Sequence, residues 1–512
     1  MSFKKRRGDR DGAFAGNTAS RAIIDIGSNT VRLVLYGGTM RAPTVLLNEK
    51  VTARLGRDIA KNGTLAPEAI TLAMGGLERF VLLLDDLGIT DIETVATAAV
   101  REASNGPDFI AELTALGLSP RVISGEEEAI LSALGVAGAF PEAEGLVADL
   151  GGGSLELVDL AKGEASNAAT LPMGALRLPD YRVKGDKNAS AMRAALEDEM
   201  SEGAGKRQKD ATLFLVGGTW RAMAVYAMQN EGHPLSDPHG FQLEAKPARK
   251  LAEALSEETY ENLKARKRIS SMRAEKLPDA AVLLQAMLSQ LEPARLVFSS
   301  WGLREGLLFD RLPDDGKSQD PLLAGISTFA SQRGAPAMLA TRIASWTLDA
   351  APARKHGSER LRLAATMLAL ASMQIEPNIR LPQAIDWALH KRWIAIDDAG
   401  RAMLAAAIAA NGNQLDLPER VRALASEDAL DEAIKWGLSV RLARRLGALS
   451  RRSLNMSRLL VEKDALVLRL AESHAALHGG PVEKDMKVLS GRLGLSPRVD
   501  IVADDALRSE EG

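Results

Sequence analysis

The 512-residue chain has no cysteine, which excludes disulfides and thiolate-bound metals and suits a reducing compartment. Histidine is scarce too: His233, His239, His356, His390, His474 and His478 form no zinc-ligand spacing. No apolar run reaches about 18 residues, so no membrane span is expected. Net charge is −3, so no global basic field marks a nucleic-acid or membrane binder, and a polyanion would have to be met by local patches. A signal peptide needs an apolar core after its charges, and MSFKKRRGDRDGAFAGNTA lacks one. Residues 1–19 therefore read as a disordered basic tail, and the protein as cytoplasmic.

What is present is an ordinary globular balance, 46% hydrophobic and 26% charged. The length implies three or four domains at roughly 100–200 residues each. One sentence is said twice. AIIDIGSNTVRLVLY, from Ala22, and VADLGGGSLELVDL, from Val147, align on Asp25 and Asp149. Each is an apolar run ending in Asp, a Gly-rich turn with a hydroxyl, and an alternating strand. Thr30, Arg32 and Val34 share one face of that strand, and Val31, Leu33 and Leu35 the other. Glycine lets backbone N–H groups approach a ligand closely, and facing turns of this kind suit phosphate. TLFLVGGTWRAMAVYA, from Thr212, supplies a third strand–turn–helix anion site at Gly217, Gly218 and Thr219.

Around these turns the pattern alternates strand and helix. Pro67–Leu87 repeats apolar residues at helical spacing and stops before Gly88. Ile92–Ala98 is a strand that delivers Arg101. SGEEEAILSALGVAGAF opens a helix whose three glutamates have different roles. Ser124 as N-cap makes Glu127 the capping-box partner, Glu126 complements the dipole, and Glu128 is left free. Lys264, Arg266, Lys267, Arg268, Arg273 and Lys276 form a basic run; its first five members, with Arg177 after the turn in TLPMGALRL, are candidates for a polyanion channel.

The expected fold is α/β: two related lobes at 20–130 and 131–312 around a cleft. A polar linker at 313–320, an all-helical domain at 321–500 and an acidic tail at 501–512 follow. Phosphoryl transfer asks mainly for positioning and charge stabilisation. The N–H cradles at Ser28, Asn29 and Thr30, at Gly151, Gly152, Gly153 and Ser154, and at the third turn offer this. Arg32 and Arg101 are candidate clamps, and Asp25, Asp149 and Glu156 are the turn carboxylates, of a type that suits Mg²⁺. Glu128 is a candidate general base. Spacing alone leaves kinase and hydrolase both open.

At these residues the chain resembles the exopolyphosphatase/guanosine pentaphosphate phosphohydrolase (Ppx/GppA) family. The likeness covers roughly residues 20–312 through IDIGSNTVRLVLY, TAAVREASN, ISGEEEA, ADLGGGSLELV, LPMGALRL, LVGGTWRAMA and GLREGLL, in that order. It implies two actin-like (ribonuclease H-like) lobes. It also implies Mg²⁺- or Mn²⁺-dependent release of terminal phosphate from inorganic polyphosphate, with K⁺ as a further cation. The alternative is the 5′ γ-phosphate of pppGpp, and a non-hydrolytic sensor of polyphosphate or (p)ppGpp is a third reading. The base falls on Glu127 or Glu128, and the capping argument favours Glu128. An actin-like kinase would need a nucleoside pocket after the third turn, where Trp220 stands. A homodimer is a further family expectation. Long members resemble HD phosphohydrolases at the C-terminus. Here AATMLALASM has no His or acid, so a helical domain without the metal motif is expected.

Overall fold

The doubled sentence folds as a doubled hairpin. In this computed structural model, which describes residues 20–507 other than 58, 184, 187–188 and 204–208, strands β1 (Arg21–Ile26) and β2 (Val31–Thr39) pair antiparallel. Strands β3 (Ala42–Val51), β4 (Ile92–Ala96) and β5 (Pro120–Val122) complete a sheet ordered β3-β2-β1-β4-β5. The second copy gives β6 (Gly145–Leu150), β7 (Leu155–Ala161) and β8 (Glu164–Leu171), joined by β9 (Thr212–Val216), β10 (Gln242–Glu244) and β11 (Arg295–Ser299). Its order, β8-β7-β6-β9-β11-β10, repeats the first with one added antiparallel edge strand. The disordered-tail reading of residues 1–19 lies outside the described residues.

Period-2 alternation sorts the first sheet's faces. Ala22, Ile24, Ile26, Val31, Leu33 and Leu35 bury against helix Pro67–Asp86 through Ala73, Leu77, Phe80 and Leu84. That helix ends as expected, with Gly88 left-handed at φ 65°. Ile23, Val34 and Tyr36 face the other way, onto Leu131, Leu307 and Leu308. These three leucines lie on helices Gly125–Ala139 and Leu303–Asp310, and Ala129, Ala133, Val136 and Phe309 of the same pair pack on the second sheet. The expected boundary at 130/131 therefore cuts a continuous helix shared by both lobes. Glycine makes the crossing possible: a Cβ on Gly306 would sit 1.7 Å from the Leu131 carbonyl oxygen, and one on Gly135 2.3 Å from that of Gly302.

The chain divides into compact units between Pro321 and Leu322, just after the expected linker, which itself contains helix Asp314–Lys317. The second unit opens with the expected helices. Asp398–Asn411 is almost wholly buried, and its backbone approaches Glu427–Gly447 where a Cβ on Gly437 would lie 2.1 Å from the Ala407 oxygen. It is not all-helical. Strands β12 (Ser457–Glu462), β13 (Ala465–Ala471) and β14 (Ser496–Val502) form a three-stranded sheet. SRLLVE and ALVLRLA pair across a two-residue turn, and the second is buried at every position but Arg469, so no period-2 signal separates it from the Leu/Arg-rich helices around it. Ile501 and Val502 belong to β14, so the acidic tail begins later than expected.

Candidate active site

The two hairpin turns share one construction. Gly27 N–H donates to the Thr30 carbonyl at 3.1 Å, and Gly151 N–H to that of Ser154 at 3.0 Å. In both, neighbouring segments occupy the turn's carbonyls from behind. Arg54 and Gly56 N–H groups bond the Asn29 and Ser28 oxygens at 3.1 and 2.8 Å; Ala175 and Leu176 bond those of Gly151 and Gly152 at 3.0 and 2.9 Å. The amides of Ser28, Asn29 and Thr30, and of Gly152, Gly153 and Ser154, have no acceptor among the described residues. These are the groups that make an anion nest. The turns also touch: a Cβ on Gly153 would lie 3.0 Å from Ser28 Oγ, and one on Gly152 3.1 Å from Ser28 Cβ.

Both turns line one cavity with the third, where Gly217 at φ 118° precedes helix Gly218–Asn230. Asp25, Arg32, Glu128 and Asp149 line it too. The three turns, one base candidate, one clamp and two carboxylates thus converge. Thr219 is fully buried and its hydroxyl accepts from Arg273 at 2.9 Å, so it holds that arginine. A Cβ on Gly218 would meet the same guanidinium at 2.2 Å.

The glutamates separate as capping logic implies. Ser124 Oγ accepts from Glu127 N–H at 3.0 Å, while the Glu127 carboxylate pairs with Arg121 outside the cavity rather than closing a capping box. Glu128 points inward, its side chain 12% exposed and 3.4 Å from Arg101, which also donates to the Ile123 carbonyl at 2.8 Å. Burial raises Glu128 to about 7, opposed by Arg101 and reinforced by Asp149 and Asp25. Asp149, which accepts from Ser132, is raised by burial too. Glu156 is 2% exposed and lies behind the wall rather than on it; burial, then Glu128 and Asp149, push it well above the ordinary carboxylate range. Its Oε1 is buried without a hydrogen-bond partner.

Asp25 is engaged differently from the expectation. Arg304 donates to it at 2.9 Å, and Tyr36 OH donates to the neighbouring Glu305 at 2.8 Å, so this carboxylate holds the junction helix. Most of the expected channel is also elsewhere. Arg177 pairs with Glu102; Arg266 stacks on Tyr226 and bonds Asn230; Arg268 bonds the Ser236 carbonyl; Lys264 lies over Tyr260; Lys267 is exposed. Lys264 lies in the short helix Tyr260–Ala265 and the next three cations follow its end, away from the cavity; Arg273 and Lys276, on helix Ser271–Gln290, are the members of the run that line it. Pattern assigns no role to Arg221 and Arg304, which also line the cavity. Arg221 had a signal, one helical turn past Gly217.

Two α/β lobes of repeated topology, closing on paired glycine turns, define an actin-like protein. The sequence profile of the Ppx/GppA phosphatase family matches residues 35–315, and the chain belongs to that family. Exopolyphosphatase 1 of Mycobacterium leprae is 26% identical over 306 residues, covering 57% of this chain and 89% of that protein. Retrograde regulation protein 2 of Saccharomyces cerevisiae is 27% identical over 342 residues, 60% of this chain, but the match spans only 58% of the yeast protein's length. Among solved structures, an Aquifex aeolicus Ppx/GppA family member superposes with TM-score 0.50 at 28% identity, over 56% of this chain and 96% of that one. An exopolyphosphatase from Cytophaga hutchinsonii shares the fold, with TM-score 0.51 at 24% identity over 57% and 98%. No helix among the described residues is long and apolar enough to cross a membrane.

Proposed function

We propose that this site releases terminal orthophosphate from inorganic polyphosphate, with Glu128 as general base. The observation that supports this best is where Glu128 stands: a buried carboxylate held at about 7, in the same cavity as two turns of unpaired amides. A terminal phosphoryl group nested on those amides meets water beside Glu128. The carboxylate takes the proton as water's oxygen bonds phosphorus and the anhydride P–O bond breaks, its electrons leaving on the shortened chain. Arg101 orients the base, and the amides, with Arg32 and Arg273, offset charge on the transferring group.

A divalent ion fits the acids partly. Among the described residues no group of three or more is arranged to hold one alone. Asp149 supplies a hard oxygen on the wall, with the unpartnered Glu156 Oε1 behind it, which would suit an Mg²⁺ or Mn²⁺ that keeps most of its water and shares substrate oxygens. When bound, the ion would neutralise phosphate charge. Asp25, tied to Arg304, lies outside that set.

The test is phosphate release from long-chain polyphosphate and from pppGpp, in Mg²⁺, by wild type and Glu128→Gln. A higher kcat/KM for polyphosphate that collapses in the variant supports the reading. A higher value for pppGpp reassigns the substrate, turnover surviving in the variant removes the base, and tight binding without turnover in wild type makes the protein a sensor.

A further inference from the structure

One helical turn beyond Arg273 stands a cation with no counter-ion. Lys276 is 8% exposed and lines the cavity. Its ammonium makes no hydrogen bond and no ion pair among the described residues. Burial and then Arg273 pull its pKa down to about 8; Glu275 opposes them and Arg54 adds to them. Lys276 shares the cavity wall with Arg32, Arg273 and the unpaired turn amides, a concentration of donors and positive charge that an anion joining it would offset.

Arg54 continues the same surface. Its N–H holds the Asn29 carbonyl at 3.1 Å, and the Asn29 side-chain amide reaches Met272 Sδ at 2.9 Å. The loop at Arg54 and the start of helix Ser271–Gln290 therefore meet at the first phosphate turn. The Arg54 side chain is exposed and makes no hydrogen bond or ion pair among the described residues. Arg54 does not itself line the cavity, but its charge acts on Lys276, so an anion that reaches Lys276 lies in the field of the exposed Arg54.

We propose that Lys276 and Arg54 form the subsite for the internal phosphates of a linear polyanion, which leaves the cavity past the Asn29 turn and not along residues 264–268. This rests on the phosphoanhydride reading of the site. It assigns chain-length preference to two residues outside the turns: a substrate of two or three phosphates ends before Arg54, and a long one engages both cations.

The experiment compares wild type, Lys276→Met, Lys276→Arg and Arg54→Met on long-chain polyphosphate and on tripolyphosphate. Removal of one charge-assisted hydrogen bond to the anion weakens binding about tenfold. We expect KM for the long chain to rise about tenfold in Lys276→Met and in Arg54→Met, with kcat within about twofold and Lys276→Arg near wild type. Arg54→Met should leave tripolyphosphate unchanged. Because Arg54 is exposed, that variant tests the subsite even where Lys276→Met fails to fold. Unchanged long-chain KM in Arg54→Met and in any folded Lys276→Met overturns the proposal. Should wild type release no phosphate, calorimetric binding of long-chain polyphosphate replaces KM: weaker binding in Arg54→Met upholds the subsite while the hydrolytic reading falls, and equal binding overturns both.

Discussion

Glu156 stands directly across from Asp149 in the β6–β7 register, the place that Arg32 takes opposite Asp25 in the β1–β2 register. Partners in an antiparallel pair share a face, so each hairpin carries one pair of side chains at the same end of its sheet. In the first lobe the pair is acid and base, and Arg304 further neutralises Asp25. In the second both are acids, and burial raises each of them. The repeat made a symmetric cleft, and one substitution within it made the cleft bipolar.

Activity should follow the ionisation of Glu128. A base must be deprotonated to accept, so kcat/KM should fall tenfold per unit as pH drops below about 7. Glu128→Gln should lose about 10²–10⁴-fold in kcat and with it this acidic limb. A pH–rate profile of the residual activity checks both, and an unchanged limb in the variant contradicts the assignment.

The same carboxyl should limit stability. Its folded pKa is raised above the unfolded value, so its stabilising contribution is full below about 4.5 and is lost as pH rises through about 7. Glu128→Gln removes that loss. The variant's melting temperature should match wild type near pH 4.5 and exceed it at pH 8, as measured by calorimetry of the two proteins side by side.

Glycine at the crossing of the shared helices should be irreplaceable. A Cβ at Gly306 would overlap the Leu131 carbonyl, so Gly306→Ala should cost about 1–3 kcal/mol and reduce turnover by moving Arg304. Gly75→Ala, on helix Pro67–Asp86 with nothing within 4 Å, should instead stabilise by about 0.5–1 kcal/mol. Chemical denaturation separates the two signs.

Chelation tests the divalent ion. EDTA should abolish phosphate release and excess Mg²⁺ restore it. In Asp149→Asn the Mg²⁺ concentration for half-maximal activity should rise at least about tenfold, as a metal titration would measure. An EDTA-resistant wild type would remove the ion from the reading.

Much of this was legible along the chain because its causes are local. Alternation and glycine placed both hairpins, and the Ser124 cap separated Glu127 from Glu128 within a single turn of helix. The short sheet of the second unit escaped because each strand is about six residues long and its composition matches the helices around it. The channel residues failed for another reason. Charge in sequence carries no direction, and the end of helix Tyr260–Ala265 sets Lys264 over Tyr260 and its C-cap Arg266 over Tyr226.

By itself, then, the sequence determined the doubled hairpin, its glycine turns and the free glutamate, since each follows from backbone geometry within a few residues. Tertiary structure alone decided what those groups mean to one another. Only packing brought Arg304 to Asp25, buried Glu156 without a partner for its Oε1, and set Lys276 beside Arg273 on the cavity wall. Burial and proximity are properties of distant segments meeting, and they set the electrostatics that the chemistry depends on.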